Sequence, residues 1–213
     1  MKGLRLLLAI GALCLAPLFA HAAAWTWDPT NWFGSGITLS NSNTTANRSY
    51  TGTGNLPIKT NESVSSGTVT EYATFDIHGG DGDAGFAFLN ASAVSNNFGW
   101  GSDVNSIAIY GNGEVDFNNA NVGFLLPGGV AVPTTGTRKV GIQVDIAAKT
   151  IRFNLNDGSW GSPYDITSLI NVGGPFKFGF VGYNPGNQMS LVDPAGGGGG
   201  TEPPHGRMLK GCC

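Results

Sequence analysis

Apolar residues recur at every second position in six segments of this chain, and that spacing restricts those segments to β-structure. Ile37 and Leu39 alternate with Thr38 and Ser40, and Ala73, Phe75 and Ile77 with Tyr72, Thr74 and Asp76. Val115 and Phe117 alternate with Glu114, Asp116 and Asn118. The pattern returns in Val140, Ile142, Val144 and Ile146, in Ile151, Phe153 and Leu155, and in Phe176, Phe178 and Phe180. Successive side chains of a strand point to opposite faces, so each segment presents one oily and one wet face. Helical spacing is not sustained beyond the first two dozen residues; residues 164–170 fit one short helical turn.

The separators carry turn chemistry. Gly79-Gly80-Asp81-Gly82-Asp83, Gly111-Asn112-Gly113 and Asn156-Asp157-Gly158 hold residues that tolerate positive φ. Glycine makes up 34 of 213 residues with no three-residue period, which excludes collagen. A hydrophobic share of 41% argues against wholesale disorder. Short strands with such turns, over roughly 170 residues, predict an all-β fold, a sandwich of two antiparallel sheets.

The two ends read differently. Lys2 and Arg5 precede an apolar run from Leu6 to Leu18, and Ala20-His21-Ala22 offers small residues at a peptidase site. Residues 1–22 are therefore expected to be a secretory signal peptide of bacterial type, because the run is shorter than the roughly 20 residues that span a bilayer. Cys14 lies inside that run behind Leu13, which does not fit a lipidation site. Removal of Lys2 and Arg5 takes eleven basic residues to nine against fourteen acidic, a formal charge of −5. That balance predicts no nucleic-acid footprint and no membrane insertion after cleavage, hence a secreted or periplasmic protein. Residues 25–193 are expected to be the sandwich domain. Residues 194–213, with the run Gly196 to Gly200, are expected to be a flexible tail ending in Cys212-Cys213. Those two cysteines cannot staple the core.

The ordered motifs resemble the SPRY (B30.2-like) family, a relative in shape of concanavalin A-like jelly rolls. Trp27-Asp28-Pro29, then Gly36-Ile37-Thr38-Leu39-Ser40-Asn41, looks like its opening. Glu71 to Ile77 sits where the family has a "YWEV" strand, without its tryptophan, and Ala84-Gly85-Phe86-Ala87-Phe88 is similar to its "GIGV" strand. Ser106 to Val115 is similar to its "S-x-x-Y-x-x-x-G-x-x" hairpin. The best match runs from Val140 to Ile146 and from Lys149 to Trp160, against "G-V-x-x-D-x-x-x-x-x-I-x-F-x-x-N-G-x-W". Pro175 to Phe178 resembles the strand that follows, and Gln188 to Val192 stands where the family closes, although Asp-Pro replaces its usual Asn-Phe-Gly. The resemblance covers nearly all of residues 27–193. It implies a sandwich that grips partners with loops at one end and has no family-wide catalytic residue.

The chemistry-bearing residues lead to the same expectation. His78 is the domain's lone histidine, so a Ser-His-Asp system or a zinc site has little to draw on. Glu114, Asp116 and Asn118 share one face and resemble part of the "E-x-D-x-x-E" strand of laminarinase-like glycosidases. The acid/base glutamate is missing, and that mechanism needs an acid of raised pKa. Asp81 and Asp83 are weak calcium candidates, for which a solvated turn is the plainer account. Aromatic residues in loops are the best binding candidates: Trp100 with Asn97 and Asp103, and Trp160 with Tyr164. A ring with a polar handle suits stacking on a sugar or anchoring a peptide. Asn43, Asn47, Asn61 and Asn90 head N-glycosylation sequons in what reads as an Asn/Ser/Thr-rich surface. The expected function is a non-catalytic module binding an unknown protein or glycan, with no cofactor. The rivals are a carbohydrate-active enzyme, a calcium-dependent lectin, and a structural part of an adhesion assembly.

Overall fold

The alternating segments become strands, and turn residues separate them. The structure, a computed structural model, describes residues 25–32, 36–49, 56–77, 84–93, 104–118, 120–129 and 136–192. In chain order the strands are β1 (Trp27–Trp32), β2 (Ile37–Ser40), β3 (Thr45–Arg48), β4 (Leu56–Thr60) and β5 (Thr68–Ile77). Next come β6 (Gly85–Asn90), β7 (Ser106–Tyr110), β8 (Glu114–Phe117) and β9 (Ala120–Phe124). The chain continues through β10 (Gly136–Asp145), β11 (Thr150–Leu155), β12 (Tyr164–Asp165), the short helix α1 (Thr167–Val172), β13 (Phe176–Gly182) and β14 (Gln188–Val192).

These strands form two seven-stranded sheets. The first runs β1-β4-β13-β6-β7-β8-β9 and the second β12-β11-β10-β5-β14-β3-β2. Every pairing between named strands is antiparallel. β14 lies inside the second sheet, between β5 and β3, with Leu191 opposite Ala73 and Met189 opposite both Phe75 and Ala46. Residues 164–170, expected to make a helical turn, divide between β12 and the start of α1.

The core is the space between the sheets. Phe75, Val140, Ile142, Val144, Ile151 and Phe153 face it from the second sheet. Ile58, Phe86, Phe88, Ile107, Ile109, Phe178 and Phe180 face it from the first. The rings interlock: Phe86 stacks on Phe178 at 5.6 Å and meets Phe75 of the other sheet edge-on at 6.1 Å. Each such side chain contributes roughly 1.5–3 kcal/mol of burial, so the domain needs no disulfide.

The sequence predicts a wet outer face on every strand, and the first sheet departs from this. All six residues of β6 and all five of β7 are buried. On the outer side Ala87, Leu89, Ala93, Ala108 and Tyr110 form a second apolar cluster. Small residues such as Ala and Gly read as neutral in an alternating pattern, although here they mark a face packed on both sides. Lys59 is buried on this sheet, and its Nζ donates to Ala91 O at 2.8 Å and Ala93 O at 2.7 Å. Asn90, expected among surface sequons, is also buried; its Nδ2 donates to Gly173 O.

Candidate functional site

The second sheet keeps the polar outer face that its alternation predicts, and two aromatic rings lie on it. Register places Asn154 of β11, Gly141 of β10 and Tyr72 of β5 in one row across the strands. A Cβ on Gly141 would stand 2.6 Å from Tyr72 Cε1 and 2.8 Å from Asn154 Oδ1. The glycine therefore leaves the hollow into which the Tyr72 ring leans. Trp160 comes from the 156–163 loop, turned sharply by Asn156 and Asp157, both of left-handed conformation. Its ring folds back to Tyr72, with centroids 6.0 Å apart.

Each ring carries a cation. Lys139 Nζ sits 4.7 Å from the Tyr72 centroid and forms a 2.7 Å ion pair with Asp157. The Arg152 guanidinium lies 5.3 Å from the Trp160 centroid. One row along, Arg152 Nε donates to Gln143 Oε1 at 2.8 Å, and Gln143 Nε2 donates to Thr70 Oγ1 at 2.9 Å. A relay thus crosses β11, β10 and β5 and ends beneath Trp160. Beside it, Asn154 Nδ2 donates to Gly158 O at 3.1 Å, tying the loop to β11.

Trp160 also walls a cleft of about 340 Å³ formed with Phe124 to Gly129, Gly161 and Ser162. Gly161 is what lets the two walls meet. Its N–H donates to Phe153 O at 2.8 Å, and a Cβ there would fall 2.2 Å from Leu125 O. No side chain fits such an approach to a backbone oxygen, so the loop of the second sheet can come this close to Leu125 because residue 161 is glycine. A smaller hollow of about 200 Å³ lies among Pro29, Ile37, Leu39, Asn43 and Ile58.

Of the loop candidates, Trp160 lies on the sheet face and at the cleft. Tyr164 is elsewhere: it pairs with Ile151 in β12, and its ring meets Phe117 edge-on at 6.4 Å. Asn97, Trp100 and Asp103 lie outside the described residues, as do Asp81, Asp83 and His78. Among the described residues no three His, Cys, Asp or Glu side chains gather as a metal set, and no helix is long and apolar enough to cross a membrane. Tyr72, Lys139, Gln143 and Arg152 were not singled out from the sequence. Their only signal was outward parity on β5, β10 and β11, which many polar residues share.

Glu114 and Asp116 share an outward face of β8, as their spacing predicts. Asn112 Nδ2 donates to Glu114 Oε2 at 2.7 Å. Asp116 Oδ1 is buried with no hydrogen-bond partner. Burial, then the neighbouring Glu114 carboxylate, pushes the Asp116 carboxyl up to about 6. The raised acid of this strand is thus an aspartate.

No family model matches the sequence, and no curated protein matches it. Solved structures do match in shape. The chain is similar to the TRIM65 PSpry domain with a TM-score of 0.60 and 13% identity, over 79% of this chain and 90% of that one. It is similar to the SPRY domain of human HERC1 with a TM-score of 0.58 and 15% identity, over 79% and 98%. Stonustoxin matches at 0.54 and 13%, over 79% of this chain and 27% of the toxin. The fold is a SPRY-like β-sandwich, as the motif order implies.

Proposed function

We propose that this chain is an extracytoplasmic, non-catalytic binding module that recognises a protein or glycan partner at one end of the sandwich. Trp160 and its cleft are the described part of the contact. One observation carries the reading: a half-buried tryptophan, packed on Tyr72 and Arg152, walls an open cleft of about 340 Å³. A ring fixed by its neighbours loses little entropy on binding, which is why aromatic anchors dominate interfaces. The SPRY-like shape supports the reading, and the signal-like residues 1–22 support its extracytoplasmic setting. The test is capture by the purified chain from extracellular material, paired with a glycan screen and repeated with Trp160→Ala. Capture should fall at least about tenfold while the melting curve is preserved. Unchanged capture by a folded variant removes Trp160 from the site.

A second reading rests on Asp116. A carboxyl raised to about 6 with a second carboxylate, Glu114, beside it has the make-up of a glycosidase pair. Release of reducing ends from mixed polysaccharides, abolished in Asp116→Asn, would establish it in place of the binding module.

A further inference from the structure

Arg152 is held rigid, and nothing among the described residues accepts from its outer nitrogens. Its Nε is committed to Gln143 Oε1, Gln143 is itself oriented by Thr70, and the guanidinium carbon lies over the Trp160 ring, 5.3 Å from its centroid. The neighbouring acids are engaged elsewhere. Asp157 pairs with Lys139, and Asp145, next along the outward face of β10 from Gln143, accepts from Ala148 N at 2.8 Å. A guanidinium fixed through Nε keeps its two Nη groups as a planar fork, the geometry that receives a carboxylate through two parallel hydrogen bonds.

We infer that this fork receives an Asp or Glu carboxylate of a partner protein, with a neighbouring apolar side chain of the same segment seated in the Trp160 cleft. The inference rests on the binding reading above and names the partner's chemistry. Two observations favour an acidic peptide over a sugar. Tyr72 and Trp160 already carry the chain's own cations over their rings, so charge is the feature left for a partner. The cleft beside them has a mixed lining: Phe124, Leu125, Leu126 and Pro127 give an apolar wall, and Gly128, Gly129 and Ser162 a polar one, so a peptide can seat an apolar side chain there with its own backbone against the polar side. An acid next to a bulky apolar residue satisfies both at once. Because the fork and the ring are ordered before binding, the partner's own ordering is the main entropy cost.

The full chain, immobilised, is used to select from a display library of random linear peptides, and an array of uronate oligosaccharides is probed in parallel. The selected peptides should be enriched in Asp or Glu beside a large apolar residue. Their affinity should fall about ten- to a hundredfold in Arg152→Gln and weaken with added salt. Lys177→Gln, on the other sheet, should leave it unchanged. Arg152→Lys keeps the charge without the fork and should recover only part of the binding; circular dichroism checks that each variant folds. If selected peptides need Trp160 but bind Arg152→Gln equally, the inference falls and the binding reading stands. If no peptide or oligosaccharide binding depends on Trp160, the binding reading falls with it. Arg152-dependent capture of uronates alone overturns the choice of a peptide.

Discussion

Asp116 shows how a single side chain responds to where a strand places its oxygens. One carboxylate oxygen is buried without a partner and Glu114 stands nearby, so the folded chain holds the proton more tightly than the unfolded chain does. The folded pKa of about 6 lies above the ordinary 3.8. The stabilisation from that proton is therefore complete below pH 3.8 and lost as pH rises through 6. Asp116→Asn should be as stable as the parent in acid and more stable above pH 7, by on the order of 1 kcal/mol after discounting for solvent screening. Urea titrations across that pH range measure it, and a constant difference at every pH would refute the assignment. At this scale the sequence was partly legible. Period two put Glu114 and Asp116 on one face, but nothing in it showed that Asp116 is the desolvated member. Trp160 was legible as a candidate anchor, whereas its neighbours Tyr72 and Arg152 come from strands far apart in the chain and meet only through register.

Among elements, β4 shows what a dry outer side demands of a charged residue. β4 lies between β1 and β13, and Lys59 is buried. Burial is the main influence pushing its ammonium below the ordinary lysine range; the charge of Lys177 adds to it and Asp28 opposes it. The two carbonyls it satisfies belong to the turn after β6, so the lysine ties that turn to the face of β4. Lys59→Met keeps most of the apolar stem and removes the donor. It should cost about 1–3 kcal/mol, seen as a lower urea midpoint with an unchanged slope. Lys177→Met, which loses only a half-buried contact to Thr60 O, should cost less. Equal stability of Lys59→Met and the parent would mean that the tie contributes nothing.

For the whole molecule the ordering of strands matters more than any one of them. β13 joins β4 to β6, and β14 joins β5 to β3, so each sheet is completed only when the last part of the chain arrives. Truncation before β13 should abolish the cooperative transition. Removal of residues 194–213 should leave the melting temperature unchanged, because Gly196 to Gly200 carries no side chain to bury. Differential scanning calorimetry on the two truncations separates these outcomes; a lowered transition in the shorter deletion would place part of the tail in the fold.

The period of two, the turn residues and the order of motifs were enough to determine an antiparallel sandwich of SPRY-like shape. Parity and turn conformation suffice for antiparallel strands because both are local properties, and the SPRY-like shape rests on the resemblance in motif order. The sequence could not state which outer face would be dry, which carboxylate would lose its water, or that Tyr72 would lie against Trp160. Those follow from contacts between segments distant along the chain, and only the packed sheets bring such segments together.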